Sequence, residues 1–185
     1  MNTLTPAITF PGVGGFSIDV AGKGFTSNSK ILWNGSQRTT AFVADSLLRG
    51  TVLPQDVAAV GVYKVNVLTG DSLDILSDSL LFKVVNKLPK PIHVISDKVT
   101  DNLNNTFKAC FGYNNLNTES VYIPVGTKNN FSPDPVNRQQ TTVFLPGRQK
   151  YAFCTTIDVG DNITWNLNGR KVKVKTPCDY KKKIK

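Results

Sequence analysis

The sequence predicts an all-β chain, and three observations support this prediction. First, its 185 residues contain no 11-residue stretch with the sustained i, i+3, i+4 apolar spacing of an amphipathic helix. Second, short alternating or apolar runs recur along the whole chain. Third, Gly, Asn, Asp, Pro and Ser separate these runs at intervals of about 8–12 residues, which is typical of β-sandwiches.

The first half contains roughly seven predicted strands. In the run FSIDVAG, Phe16, Ile18 and Val20 share one face, which predicts that this face is buried. The next strand, KILW, runs into Asn34-Gly35, the strongest hairpin signal in the chain. The other predicted strands are PAITF, QRTTAFVA, SLLRGTVL, VGVYKVNVLT and DSLLFKVV. Between two of them, PQDVAA is predicted to form one helical or 3₁₀ turn, because proline favours the start of such a turn.

The segment NKLPKP predicts a stiff connector near the middle of the chain. Proline cannot donate a hydrogen bond to a central strand, so two prolines within four residues argue against a strand here. We therefore predict a first sandwich over residues 1–86, a linker over 87–91, a second sandwich over 92–176 and a basic, flexible tail over 177–185.

The second half repeats the strand pattern with a different sequence. In TFKACFGYN, Phe107, Ala109 and Phe111 share one face, and Trp165 is a predicted core anchor. The predicted strands are IHVISD, TFKACFGYN, SVYIPVG, TTVFLPG, KYAFCTTID, NITWNLNG and RKVKVKT.

The residue inventory argues against an enzyme. Nucleophilic triads of the Ser-His-Asp type would have to use His93, the single histidine, which lies next to the connector. The twelve Asp and one Glu lie mostly in turns, and no G-x-x-x-x-G-K-[ST] phosphate loop is present. Zinc sites need closely spaced ligands, whereas Cys110, Cys154 and Cys178 are 44 and 24 residues apart. We expect no catalytic residue, no cofactor and no metal site.

The sequence leaves the state of the cysteines open. Cys110 and Cys154 both lie within predicted strands, so either a buried thiol or a cross-link between them fits. An odd number of cysteines fits a reducing site of synthesis or one free thiol. The opening residues, MNTLTPAITFPG, have no basic and apolar leader, so we expect no secretory signal.

Four motifs occur in order in the first half: Gly14-Gly15-Phe16, VAGKGFTSNSKILWNG, PQDVAAVGVYKVNV and LLFKV. Through them, residues 6–85 resemble the IPT/TIG family of immunoglobulin-like domains. The second half resembles another immunoglobulin-like β-sandwich module found in large surface or virion proteins, through ACFGYNN, VYIPVGTKNNFSP, TTVFLPGRQKYAF and ITWNLNG. The resemblances imply two tandem immunoglobulin-like β-sandwich domains with a structural or adhesive role and no catalytic site.

Two segments are candidates for binding a partner. The loop over residues 126–140 is long for a sandwich connection and rich in polar side chains. The segment from Arg170 to the end holds eight basic residues and one acid, which is +7 of the net charge of +9. The alternative interpretations of this basic segment are a solvated tail and an edge strand protected by lysines. The candidate partner-binding residues are Phe131, Arg138, Gln139, Lys181, Lys182, Lys183 and Lys185.

We therefore predict a non-enzymatic structural or assembly protein. A Met-initiated chain without a leader favours a minor capsid, decoration or fibre component of a virus or phage particle. Its predicted partners are other structural proteins of that assembly and an acidic surface contacted by the tail. Nucleic acid is not expected as a partner of the folded domains, because residues 1–169 are nearly neutral. No membrane span is expected, because no apolar run approaches ~20 residues. The alternative is a cell-surface adhesion or glycan-binding module, located outside the cell or on its surface.

Overall fold

The computed structural model describes residues 1–70 and 75–176 of the chain. Strands make up 56% of the structure and helix 2%, which confirms the all-β class. The chain forms two compact units, each with its own core. Unit 1 contains residues 1–88 and 119–122, and unit 2 contains residues 89–118 and those from 123 onward.

The 3₁₀ turn Pro54–Val57 confirms the predicted turn at PQDVAA. Strands β1 to β9 are Thr3–Thr5, Ile8–Thr9, Phe16–Ala21, Lys30–Trp33, Ser36–Gln37, Thr40–Ala44, Leu47–Val52, Gly61–Thr69 and Ile75–Leu76. Strands β10 to β18 are Leu80–Val84, Ile92–Asp101, Thr106–Asn115, Val121–Tyr122, Asn129–Ser132, Val143–Phe144, Gly147–Asp158, Asn162–Leu167 and Arg170–Lys175.

Unit 1 is a sandwich of two sheets. One sheet has the order β1-β3-β7-β6, and the other contains β13-β2-β10-β8-β4-β5 with β9 beside β8. The alternation predicted in FSIDVAG is confirmed, because Phe16, Ile18 and Val20 are buried. Trp33 of β4 anchors the core, with ring centroids 5.5 Å from Tyr63 and 5.0 Å from Phe82.

A strand from the second half of the sequence completes this unit. Val121 of β13 pairs in parallel with Ile8 of β2, and the Tyr122 ring stacks on Phe16 with centroids 4.3 Å apart. Lys83 Nζ lies 2.7 Å from Glu119 Oε2. The sequence predicts SVYIPVG as a strand but not its partner, because alternation reports burial and says nothing of which distant strand lies beside it.

Unit 2 is also a two-sheet sandwich. Its sheets have the orders β11-β12-β16 and β14-β17-β18. The predicted core anchor Trp165 is completely buried, and four phenylalanine rings lie within 6.4 Å of it, centroid to centroid. They are Phe111, Phe131, Phe144 and Phe153. Aromatic burial from both sheets therefore dominates this core.

A disulfide joins the two sheet neighbours β12 and β16. Cys110 and Cys154 lie directly opposite each other, with Cα atoms 4.0 Å apart, and their sulfur atoms are bonded. Of the alternatives that the sequence leaves open, the structure has the cross-link and not the buried thiol. Cys178 lies outside the described residues.

Charged side chains fasten a bulge in the same sheet. Asp97 interrupts the β11 ladder, and its carboxylate accepts hydrogen bonds from the Arg148 guanidinium and from the Tyr151 N–H. Gly112 lies opposite on β12, where an added Cβ would collide with both Asp97 and Arg148. An added Cβ would also collide with the Gln149 backbone carbonyl, which cannot move aside as a side chain can, so a glycine is required here.

Candidate functional site

The structure corrects the predicted role of Phe131. The sequence places it in an exposed loop, but it belongs to β14 and is 1% exposed. Its ring lies 5.3 Å from that of Phe111 in an edge contact. Asn129 and Phe131 point inward while Asn130 and Ser132 point outward, a period of two that the loop-like composition concealed. Phe131 is a core residue and has no surface to offer a partner.

The basic residues predicted to bind a partner, Lys181, Lys182, Lys183 and Lys185, lie outside the described residues, as does the predicted tail. The predicted loop over residues 126–140 is shortened by β14, so the segment that connects strands here begins at Pro133.

Arg138 and Gln139 come together at an open cleft of about 370 Å³. One wall is the connecting segment and the other is strand β16, next to the disulfide. The residues that line the cleft are Pro135, Asn137, Arg138, Gln139, Cys154, Thr155 and Thr156. The lining carries one positive charge and no carboxylate, so it favours a polar or anionic group.

Two buried amide side chains hold this connecting segment in place. Gln140 accepts a hydrogen bond from the Arg138 N–H at 2.7 Å and donates one to the Val136 carbonyl at 3.0 Å. Asn129 donates to the Ile123 and Thr141 carbonyls, and its oxygen accepts a hydrogen bond from the Trp165 indole at 3.0 Å. The sequence does not reveal either anchor, because buried amides do not differ in sequence from amides in turns.

The functional groups at the cleft are one guanidinium, side-chain amides and hydroxyls. The Arg138 guanidinium donates to the Asp134 carbonyl at 3.2 Å and lies 6.0 Å from the centroid of the Phe131 ring. Gln139 has a φ of 62° and donates its N–H to Asn137 Oδ1, which leaves its side chain exposed. A guanidinium donates hydrogen bonds, and amides and hydroxyls both donate and accept them.

A second candidate surface is the edge strand β6 of unit 1. Phe42 and Val43 are 43% and 52% exposed. Residues 39–44 contain no Lys and no Pro, which are the usual protections of an edge strand. A bulge at Val43 shortens this edge but leaves both side chains at the surface.

The backbone of Phe42 also faces away from its sheet. The Thr51 N–H donates a hydrogen bond to the Thr39 carbonyl, so these two residues are a hydrogen-bonded pair. Along an antiparallel ladder, hydrogen-bonded pairs alternate with pairs that are not hydrogen-bonded. In the β6–β7 register, Ala41 and Arg49 are therefore the next hydrogen-bonded pair. The N–H and C=O of Phe42, which lies between such pairs, point away from β7. Within the described part of the chain, no backbone group pairs with them. Such groups can accept an additional strand.

The structure therefore defines an all-β protein of two sandwich units. The comparison with family models is more specific: residues 1–84 match the IPT/TIG domain. This finding confirms the IPT/TIG resemblance of the first half. IPT/TIG domains are immunoglobulin-like modules used in adhesion and protein–protein interaction. No curated protein matches the chain.

Two further findings on residues 1–70 and 75–176 concern metals and membranes. They contain no group of three or more His, Cys, Asp or Glu side chains placed to hold a metal ion. No helix in this part of the chain has the length and apolar character that a membrane crossing requires.

Proposed function

We propose that this chain is a non-enzymatic assembly protein whose unit 1 binds another structural protein by strand addition to β6. The observation that carries the proposal is the open edge at Phe42, which combines outward backbone groups with two exposed apolar side chains. An extended segment of the partner would continue the β1-β3-β7-β6 sheet through backbone hydrogen bonds. Its apolar side chains would cover Phe42 and Val43.

We also propose a setting for this assembly, namely the exterior of a virus or phage particle, as a minor capsid, decoration or fibre component. The Cys110–Cys154 disulfide supports exposure to an oxidising medium, because disulfides persist on virion and cell surfaces. The same observation favours a second setting, a cell-surface adhesion module. IPT/TIG domains are commonly extracellular or surface-located, which supports both settings.

The experiment compares two matched variants, Val43→Lys and Val62→Lys. Both valines are exposed, at 52% and 62%, but Val62 lies in β8, an interior strand of its sheet, and pairs with Lys83 of β10. A lysine at an edge opposes strand addition, so Val43→Lys should lower the amount of chain in the native particle or envelope at least tenfold. Val62→Lys should remain near the wild-type amount. Quantitative mass spectrometry of the purified assembly measures both.

Each outcome has a separate consequence. Equal incorporation of the two variants would overturn strand addition at β6. Recovery of the wild-type chain from cell envelopes, with none in purified particles, would reject the virion setting and retain the adhesion module.

We further propose that Arg138 and Gln139 at the cleft, and Lys181, Lys182, Lys183 and Lys185 in the tail, make secondary contacts with the partner. The open cleft with its single positive charge supports a contact with a polar or acidic surface. Arg138→Gln should lower incorporation at low salt more than at high salt, because salt screens exposed charges. An effect of equal size at both salt concentrations would remove the cleft from the interface.

A further inference from the structure

One face of unit 2 carries rows of lysine, amide and hydroxyl side chains. In the sheet β14-β17-β18, the register places three rows of side chains across the outer face. Their inward neighbours, among them Ile163, Trp165 and Val174, are buried in the core. The rows are Ser132–Thr164–Lys173, Asn130–Asn166–Lys171 and Asn162–Lys175.

The three lysines form a regular line along β18. Lys171, Lys173 and Lys175 are all exposed and occupy alternate positions, so their Cα atoms are about 6.7 Å apart. None of the eight outward positions is acidic, and the salt bridges found in the described residues involve none of these lysines. The line therefore offers repeated positive charge to a molecule that carries repeated negative charge.

The rest of the face indicates the chemistry of that molecule. Single-stranded nucleic acids are held by aromatic rings on which bases stack, and none of these eight positions has a ring. Ser132, Thr164 and Asn162 lie beside the lysines, and their side chains can exchange hydrogen bonds with hydroxyl groups. The Asn130 amide instead donates to the Gly126 and Thr127 carbonyls, and the Asn166 amide oxygen is buried. The disulfide in the same unit favours an oxidising medium, where glycans are the abundant polyanions.

We propose that the outer face of β14-β17-β18 binds an extended anionic polysaccharide. Lys171, Lys173 and Lys175 contact its carboxylate or sulfate groups, and the polar side chains of β14 and β17 contact its hydroxyls. The sulfate and carboxylate forms present the same charge to this face, so the experiment uses a probe for each. This site is separate from the β6 edge and does not depend on the proposal for unit 1.

The experiment measures binding of the full chain to heparin and to polygalacturonate by biolayer interferometry over a range of salt concentrations. The protein is produced without N-glycosylation, because Asn130 and Asn162 are sequon residues on this face. The test variant is Lys171→Gln with Lys173→Gln and Lys175→Gln. The control is Lys98→Gln with Lys108→Gln and Lys150→Gln, which removes the same charge from exposed positions on the other sheet of unit 2.

The test variant should lose at least tenfold in affinity for one or both glycans and show a weaker dependence on salt, while the control stays within twofold of the wild type. Trp165 fluorescence checks that both variants are folded. Equal losses in the two variants would reduce the effect to net charge and overturn the site. If deletion of residues 177–185 lowers the affinity for the glycans and the test variant does not, binding belongs to the tail instead. Tighter binding to single-stranded or duplex DNA than to either glycan would overturn the assignment of a polysaccharide.

Discussion

Units 1 and 2 belong to the same structural class but are stabilised by different means. Unit 1 contains no cysteine, and a buried ion pair between Arg38 and Asp56 ties its 3₁₀ turn to the segment before β6. Unit 2 has a disulfide and a cluster of four phenylalanine rings around Trp165. A two-sheet sandwich therefore specifies layers and alternation, while the interactions that stabilise it differ between the two units.

The two tryptophans allow this comparison to be measured, because there is one in each core. Trp33 reports on unit 1 and Trp165 on unit 2. The variants Trp165→Phe and Trp33→Phe therefore give single-tryptophan proteins in which each unit is followed separately by fluorescence.

The largest expected effect is that of Trp165→Ala. The side chain is fully buried among four phenylalanines, and its N–H is bonded to Asn129. Removing it leaves a large cavity and should lower the free energy of unfolding of unit 2 by about 3–5 kcal/mol. Circular dichroism during urea denaturation measures the loss. A loss below about 1 kcal/mol would mean that this cluster is not the core of unit 2.

The next effect is that of removing the disulfide with Cys110→Ala and Cys154→Ala. The two residues are 44 positions apart, so the cross-link restricts a long segment of the unfolded chain. The free energy of unfolding that Trp165 reports should fall by about 2–4 kcal/mol, and the value that Trp33 reports should change less. Equal shifts of the two transitions would contradict the assignment of this cross-link to unit 2 alone.

A somewhat smaller effect is expected in unit 1 from Asp56→Ala. Asp56 accepts hydrogen bonds from Arg38 at 2.6 and 2.9 Å and from the Leu53 N–H at 2.9 Å. Truncation removes the carboxylate partner of Arg38 in a half-buried site. We expect the free energy of unfolding that Trp33 reports to fall by about 2–3 kcal/mol. The control is Asp19→Ala, whose partner Arg49 is exposed. Asp19→Ala should lower the free energy of unfolding much less than Asp56→Ala does. Equal losses in the two variants would refute the role of burial.

The smallest effect concerns pH. Burial raises the pKa of the Tyr122 phenol in unit 1 and of the Tyr113 phenol in unit 2, where a hydrogen bond from Leu145 partly opposes the rise. Both phenols are protonated in the folded and unfolded chain below the usual tyrosine pKa of about 10, so stability is unaffected there. Above it the unfolded chain releases its protons first, and stability falls as pH rises. In Tyr122→Phe, the free energy of unfolding that Trp33 reports should fall less steeply with pH. Denaturation at a series of pH values measures this.

Much of the fold follows from the sequence, because burial imposes a period of two on strands. FSIDVAG, VGVYKVNVLT and TFKACFGYN show this period clearly, and each forms a strand. β14 was missed because only Asn129 and Phe131 carry the inward pattern, in a segment dense with turn residues. The placement of β13 in unit 1 and the Cys110–Cys154 bond depend on distant pairing, which no local pattern contains.

The candidate sites were less predictable than the fold. Arg138 and Gln139 do meet at a cleft, but the sequence gives no sign of the β16 wall opposite them. The lysine line of β18 is visible in RKVKVKT, yet its polar neighbours on β14 and β17 become evident only from the strand register. A surface site depends on which strands are adjacent, so the sequence suggests its members and the structure assembles them.

Hydrogen–deuterium exchange of the peptide that covers residues 39–46 tests the central claim most directly. The measurement compares the isolated chain with the same chain in its native assembly. If β6 accepts a partner strand, the Phe42 amide gains a hydrogen bond, and exchange of this peptide should slow at least tenfold in the assembly. A peptide from β8 around Val62 serves as the internal reference and should exchange at the same rate in both. Unchanged exchange of residues 39–46 would contradict the claim that unit 1 binds by strand addition.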